Sequence, residues 1–299
     1  MISNVPNHQQ LRDTAEGWMR LAWSNTIECI REIDEHSEFL DLMHEDLKDD
    51  KRSRYLGKVV MSQRFMLNNA VTLLQQSLEL FLKSIIAETS PFLLVSGDPG
   101  TWPKPDEAGV VDFSRFRTID AIHLCRVVNT VGNRRLSDEF MVFFEEQRKL
   151  RNYITHLDTG SLFTEATTLL VSILLAHSLM FEGQRWQEFR TKLATTDKDS
   201  DKDEDDDEFI YDTDVSHDIY LSEIDMLIER LTPRDLRKFL GFDRRKRRFA
   251  CRVCWNMTSK QYDGQYRYIQ KQPDGRFVCL ACLTTFADED TYDKSLELM

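Results

Sequence analysis

Apolar residues in the first 190 positions recur at intervals of three and four, which places them on single helix faces and predicts a helical bundle. Residues 8–48 carry Trp18, Leu21, Ala22, Ile27, Ile30 and Ile33 in this rhythm. Over 62–88 the stripe widens to Met66, Ala70, Leu73, Leu74, Leu78, Phe81, Leu82, Ile85 and Ile86, and Pro91 predicts where that helix stops. A short helix is expected around 119–130. The next begins after Ser137, whose hydroxyl suits an N-cap, with Asp138 and Glu139 facing the positive end of the helix dipole. Residues 164–181, TEATTLLVSILLAHSLMF, are apolar nearly all round, as in a central or interface helix. No internal repeat and no βαβ alternation interrupts this part.

Between the helices, SPFLLVSGDPGTWPKPDEAG (90–109) is too rich in Pro and Gly for a helix and long for a connector, so a functional loop is expected there. Past the bundle the pattern changes. TTDKDSDKDEDDDEFIYDTD (195–214) is nearly solid acid and is expected to be a mobile linker, because it offers little apolar surface to offset its ordering entropy. An amphipathic helix over 220–240 then leads into a cysteine-rich end. The expected fold class is mainly α: a helical bundle, an acidic linker and a small C-terminal β zinc ribbon. The expected division is a helical extension (1–60), a bundle (61–190), the linker (191–218), a linking helix (219–243), the ribbon with its basic lead-in (244–290) and a tail (291–299).

Composition changes the picture in two ways. The 299 residues are 41% hydrophobic and 30% charged, enough for a core and for solubility. No run reaches the ~20 apolar residues that span a bilayer. The N-terminus lacks a basic segment followed by an apolar one, so a cytoplasmic protein with reduced thiols and no membrane partner is expected. The formal net charge of −12 would argue against a nucleic-acid partner, but the charge is segregated. RDLRKFLGFDRRKRRFACR (234–252) is as basic as the linker is acidic.

Four cysteines carry the most specific chemistry. Cys251-Arg-Val-Cys254 and Cys279-Leu-Ala-Cys282 are two knuckles 24 residues apart. Each tight turn presents two thiolates, and four complete a tetrahedral zinc site with no open position, hence structural and not catalytic. Two disulfides are the alternative, disfavoured in a reducing compartment. QYRYIQK (265–271) and RFVCL (276–280) read as strands joined by a Pro273-Asp274-Gly275 turn. Arg244, Arg245, Lys246, Arg247 and Arg248 precede this ribbon, beside Trp255, Tyr262, Tyr266 and Tyr268. Cations for phosphates next to stacking faces suit single-stranded nucleic acid; a solvated basic face balancing the linker is the alternative. Cys29 and Cys125 lie on helical patterns and are read as core thiols.

The second candidate is RKLRNYITHLD (148–158). Arg151 is permanently charged and forks onto phosphate oxygens, whereas His156 can take or give a proton near neutrality. Together they suffice to cleave RNA through its own 2′-hydroxyl without a metal. Positions i and i+5 stand about 140° apart on a straight helix, so convergence needs a bend, long side chains or a second copy. Taken alone, the spacing also describes two solvated helix residues.

The span 62–182, with Arg151-Asn152-Tyr153-Ile154-Thr155-His156 and the upstream helix bearing Glu79 and Lys83, resembles the HEPN superfamily of α-helical domains. Residues 118–127, TIDAIHLCRV, resemble the short His-bearing helix start found between those elements in many members. The resemblance implies a metal-independent endoribonuclease whose dimer lines a shared cleft with Arg and His from both chains, acting as a toxin or in antiviral defence. On this chain it implies His156 as acid/base, Arg151 as phosphate clamp, Asn152 as an orienting residue, and Glu79 with Lys83 as a supporting polar layer. The partners implied are RNA, a second copy of the chain, and a cognate antitoxin or regulator. The alternative for Glu79 and Lys83 is a surface ion pair one turn apart. His123 is read as structural and His177 as a core or interface residue. Asp199, Asp201 and Asp203 resemble a calcium loop, but Glu204 stands where glycine is needed, so they read as linker. Rival readings of the whole chain are a non-catalytic dimeric adaptor and a DNA-binding regulator built on the ribbon.

Overall fold

The computed structural model describes residues 1–43, 49–157, 165–191, 208–258 and 264–297. The chain is mainly helical with a small C-terminal antiparallel sheet, and it divides into two compact units, Met1–Met180 and Phe181–Met299. The acidic run up to residue 207, the aspartates at 199–203 and Tyr262 lie outside the described residues.

Two long helices, α1 (His8–Met43) and α2 (Asp49–Thr89), frame the first unit. Their buried residues alternate in steps of three and four: Met19, Ala22, Thr26, Cys29 on α1 and Leu67, Val71, Leu74, Leu78, Phe81, Ile85 on α2. That is the seam of a coiled-coil pair, and it explains why the helices stay together over their length. The buried side of α1 also includes Trp23, Ile27 and Ile30, whereas Leu21, expected on the buried stripe, is 47% exposed. Two hydroxyls are satisfied within the seam. Thr26 Oγ1 donates to the Ala22 carbonyl at 2.7 Å, and Ser77 Oγ donates across the pair to the Ala15 carbonyl at 2.6 Å. One stretch, Asp50–Thr89, is long and apolar enough by length and composition to cross a membrane, but 61% of its apolar window is buried.

Helix α2 ends at Thr89, just before Pro91. It also packs against α3 (Ala121–Val131), α4 (Asp138–Leu157) and α5 (Ala166–Met180). Ser137 caps α4 as expected, accepting from the Phe140 amide at 3.1 Å. Helix α5 buries Leu169, Leu170, Ile173, Leu174 and His177, in keeping with its nearly all-round apolar sequence. His123 is exposed in the first turn of α3. The Pro/Gly-rich stretch is tied down at several points: β1 (Ile2–Ser3) pairs in parallel with β2 (Val111–Asp112), Val95 bridges Thr118, and Trp102 meets Phe116 edge-on at 5.7 Å.

In the second unit, α6 (Trp186–Thr191) contributes Trp186 and Phe189, and α7 (Glu208–Arg230) buries Tyr220, Leu221, Ile224, Leu227 and Ile228. Helix α7 starts within the stretch expected to be linker and ends before residue 240; a turn of π-helix, Leu236–Leu240, follows and is closed by Gly241 at φ +68°. Arg190 of α6 and Glu223 of α7 form a bidentate pair at 2.7 and 3.0 Å. The sheet runs β3 (Ile269–Lys271), β4 (Phe277–Cys279), β5 (Thr285–Phe286), all antiparallel. Gly275, at φ +90°, makes the β3–β4 turn that Pro273-Asp274-Gly275 predicted, a conformation in which a side chain would be strained. Helix α8 (Arg252–Met257) and helix α9 (Glu289–Glu297) flank the sheet.

Candidate functional site

Arg151 projects from α4 onto α2. Its Nη2 donates to Glu79 Oε1 at 3.0 Å, across 72 residues of chain. The same oxygen accepts from Gln75 Nε2, one turn earlier on α2, at 3.3 Å. The side chains of Arg151 and Glu79 are 26% and 18% exposed, so the pair is shielded without being sealed. Gln75 is fully buried, and Gln147, one turn before Arg151 on α4, is nearly so. Arg151 Nε, Gln75 Oε1 and Gln147 Oε1 are enclosed and have no hydrogen-bond partner among the described residues. A polar strip, Gln75-Glu79 on one helix and Gln147-Arg151 on the other, therefore runs through an otherwise apolar interface. Gln75 and Gln147 are not among the residues expected at the site. The available signal was register: each glutamine occupies a position that the apolar rhythm assigns to the core.

The remaining motif residues are placed differently. His156 is exposed in the last turn of α4. Asn152 and Lys83 are half-buried. Glu79 engages Arg151 and makes no ion pair with Lys83. Arg148, one turn from Asn152, is held by Glu145 through two bonds of 2.8 Å, and that hydrogen-bonded carboxylate raises the Arg148 pKa. No hydrogen bond or ion pair joins Arg151 to His156 among the described residues of one chain.

The four knuckle cysteines converge. Cys251 sits just before α8 and Cys254 one turn inside it, while Cys279 ends β4 and Leu283, at φ +61°, turns the chain back behind Cys282. Cys251 Sγ lies 3.6 Å from Cys282 Sγ, and Cys254 Sγ lies 3.6 Å from Cys279 Sγ. All four sulfurs fall within 4.8 Å of one another. Sulfurs held about 2.3 Å from one tetrahedral ion would stand about 3.8 Å apart, so the cluster is within metal-binding distance and compatible with a structural zinc. The four are free thiols, separated far beyond the ~2.05 Å of a disulfide. Hydrogen bonds from Cys254 and Cys251 draw the Cys251 and Cys282 thiols, respectively, to lower pKa, whereas burial pushes Cys279 up. Cys29, by contrast, is a buried seam thiol raised to about 11 by burial, and half-buried Cys125 is raised to about 11 for the same reason.

Arg244, Arg245, Lys246, Arg247 and Arg248 are all exposed. The Arg247 guanidinium lies 4.9 Å from the centre of the Phe249 ring, and Lys246 Nζ lies 3.5 Å from the Lys271 carbonyl oxygen. Of the aromatic residues expected nearby, Trp255 is exposed, while Tyr268 is buried and donates to Asp225 Oδ2 at 2.9 Å. Burial removes the Tyr268 ring as a stacking face.

No protein-family model matches the chain, and comparisons with curated proteins and with solved structures return no match.

Proposed function

We propose that the chain is a metal-independent endoribonuclease of HEPN type, cytoplasmic and dimeric, acting as a toxin or defence effector under a cognate regulator. In this reading the four cysteines hold a structural zinc ion, and the basic segment beside them holds nucleic acid. The observation that carries the reading is the Glu79–Arg151 pair: the acid of one suspected motif meets the arginine of the other at 3.0 Å. A guanidinium held by one carboxylate oxygen is oriented and keeps donors free for a second anion.

The reaction needs no metal. His156 accepts the proton of the RNA 2′-hydroxyl, the 2′-oxygen bonds to phosphorus, and the bond from phosphorus to the 5′-oxygen breaks. The leaving oxygen takes a proton from the second histidine of the dimer, giving a 2′,3′-cyclic phosphate and a 5′-hydroxyl. Arg151 neutralises the charge that builds on the phosphoryl oxygens, and Asn152 orients the group. Lys83 and Glu79 form the supporting polar layer.

The test is incubation of zinc-loaded protein with total RNA in buffer free of added metal, beside a His156→Ala control. His156 is exposed, so the variant should fold. Cleavage leaving cyclic phosphate ends, slowed at least about 100-fold in the variant, is the expected result. Intact RNA with the wild type, or equal cleavage by both proteins, overturns it.

The same ion pair favours a second reading. A carboxylate already bonded to Arg151 competes with phosphate, and a purely structural pair in a dimeric adaptor would look alike. Wild-type RNA left intact while the ribbon still binds nucleic acid selects this reading.

A further inference from the structure

The C-terminal unit contains an open cleft of about 470 Å³ whose lining includes Lys246, Arg247, Phe249, Lys271, Pro273 and Glu289. Three chain segments meet in it: the basic lead-in, the β3–β4 hairpin and the first residue of α9. The first two are tied to the cysteine cluster. Phe249 is two residues before Cys251 and bridges Ile269 of β3; Phe277, at the cleft floor, is two residues before Cys279.

The cations are arranged over aromatic faces. Arg247 covers Phe249 at 4.9 Å and Lys271 Nζ stands 5.3 Å from the Phe277 ring centre. Phe277 is fully buried and stacks on Tyr292 with centroids 5.5 Å apart, so it is a floor and not a contact surface. What the cleft offers a ligand is the flat Arg247 guanidinium, the half-buried edge of Phe249, the exposed Pro273 ring and two mobile-stemmed ammonium groups. Its one carboxylate, Glu289, is 3.8 Å from Lys271 Nζ, and both groups are more than half exposed.

We propose that this cleft receives one nucleotide of a single-stranded nucleic acid. The base lies against the Arg247 guanidinium, which stacks on nucleobases as it does on Phe249, and the phosphate bridges Lys246 and Lys271. Glu289 occupies Lys271 until phosphate displaces it, and so lowers affinity at rest. A duplex keeps its bases stacked inside and presents only backbone to such a recess. Lys271 and Glu289 lie outside the basic run itself and reach the site only through the fold. The inference rests on the reading of the ribbon as a nucleic-acid holder and is independent of Arg151 and His156.

The experiment is fluorescence anisotropy on the full-length, zinc-loaded chain, with a labelled 12-nucleotide 2′-O-methyl oligouridylate, the same strand annealed to its complement, and polyglutamate. The methylated probe cannot be cut through its 2′-oxygen, so failure here leaves the nuclease reading untouched. Lys246→Ala and Lys271→Ala should each weaken single-strand binding about fivefold, and the double variant should reduce the salt slope by about 0.7, the one phosphate contact they share. Arg276→Ala, which removes an exposed cation of the same hairpin outside the cleft, should stay within about twofold of wild type. Glu289→Gln should tighten binding more than Asp290→Asn, the same charge change one residue on. The proposal fails if Lys271→Ala and Arg276→Ala are indistinguishable, if Glu289→Gln and Asp290→Asn are equal, if the duplex binds as tightly as the single strand, or if polyglutamate binds better than either. All these side chains are exposed, and near-UV circular dichroism of each variant checks that the ribbon is intact.

Discussion

At the scale of single residues, the arginine between α2 and α4 sets the terms for everything proposed about catalysis. A charge shielded this far is retained only if it is paired, because removing one partner strands the other in a poor solvent. Arg151→Ala is therefore expected to cost about 1–3 kcal/mol in urea unfolding, less than for a fully sealed pair because both side chains keep some contact with water. The double variant Glu79→Ala/Arg151→Ala should recover part of that loss, with a coupling of about 1–2 kcal/mol. The Glu145–Arg148 pair, three residues apart on one helix with its acid 39% exposed, should show a coupling of only ~0.3–0.5 kcal/mol in the same assay. Equal couplings at the two sites would mean that the polar strip is no more than decorated surface. This pairing was not legible in the sequence. Locally, Glu79 has Lys83 one turn away, and only the packing of α4 on α2 brings Arg151 closer. Gln75 and Gln147 were legible only by register: their residue type ordinarily goes to the solvent side, and only their place in the apolar rhythm marks them as enclosed.

At the scale of elements, sequence signals were strong wherever a local rule acts alone. Pro91 stops α2, Ser137 caps α4, and Pro273-Asp274-Gly275 turns β3 into β4, each because backbone chemistry admits few alternatives. The start of α2 at Asp49 was missed because DDKRSRYLGKVVM carries little apolar periodicity. Helix propagates through such a segment cheaply once a long partner continues the seam. Phe249, Lys271 and Glu289 each look unremarkable in sequence, and their convergence follows from strand register and the cysteine knuckles, which no local pattern encodes. The α1–α2 seam makes its own prediction. Leu74→Ala, at a fully buried step of α2, should destabilise the first unit by about 2–5 kcal/mol. Ser77→Ala should cost about 1 kcal/mol by removing the cross-pair hydrogen bond to the Ala15 carbonyl, which keeps only its bond within the helix. A Ser77→Ala loss as large as that of Leu74→Ala would show that the seam is held by its hydrogen bonds more than by its packing.

At the scale of the whole molecule, the two units are expected to owe their order to different physics, which metal removal would separate. Unit Met1–Met180 closes on long apolar seams and has no metal-ligand cluster among its described residues. Within Phe181–Met299, the small sheet is joined to α7 by Tyr220 donating to the Ala281 carbonyl at 3.0 Å and by Tyr268 donating to Asp225. Ala281 lies inside the Cys279–Cys282 knuckle, so that anchor persists only while the knuckle does. Strands of two or three residues bury too little to hold themselves. With zinc bound, their order is expected to depend on the cluster, where metal binding and folding are one free energy. Chelation of the full-length chain should release one zinc ion per chain and make four further thiols reactive. It should abolish the near-UV signal of the ribbon and expose the β3–β4 hairpin to protease. Most of the far-UV helical signal should survive, because the long helices of the first unit do not depend on the ion. Cys279→Ser should reproduce the chelated state at full zinc concentration. A far-UV collapse on chelation would mean that the bundle leans on the metal after all. An unchanged hairpin would mean that the packing of Phe249, Phe277 and Tyr292 suffices to order the ribbon, and the cleft would then form whether or not zinc is bound.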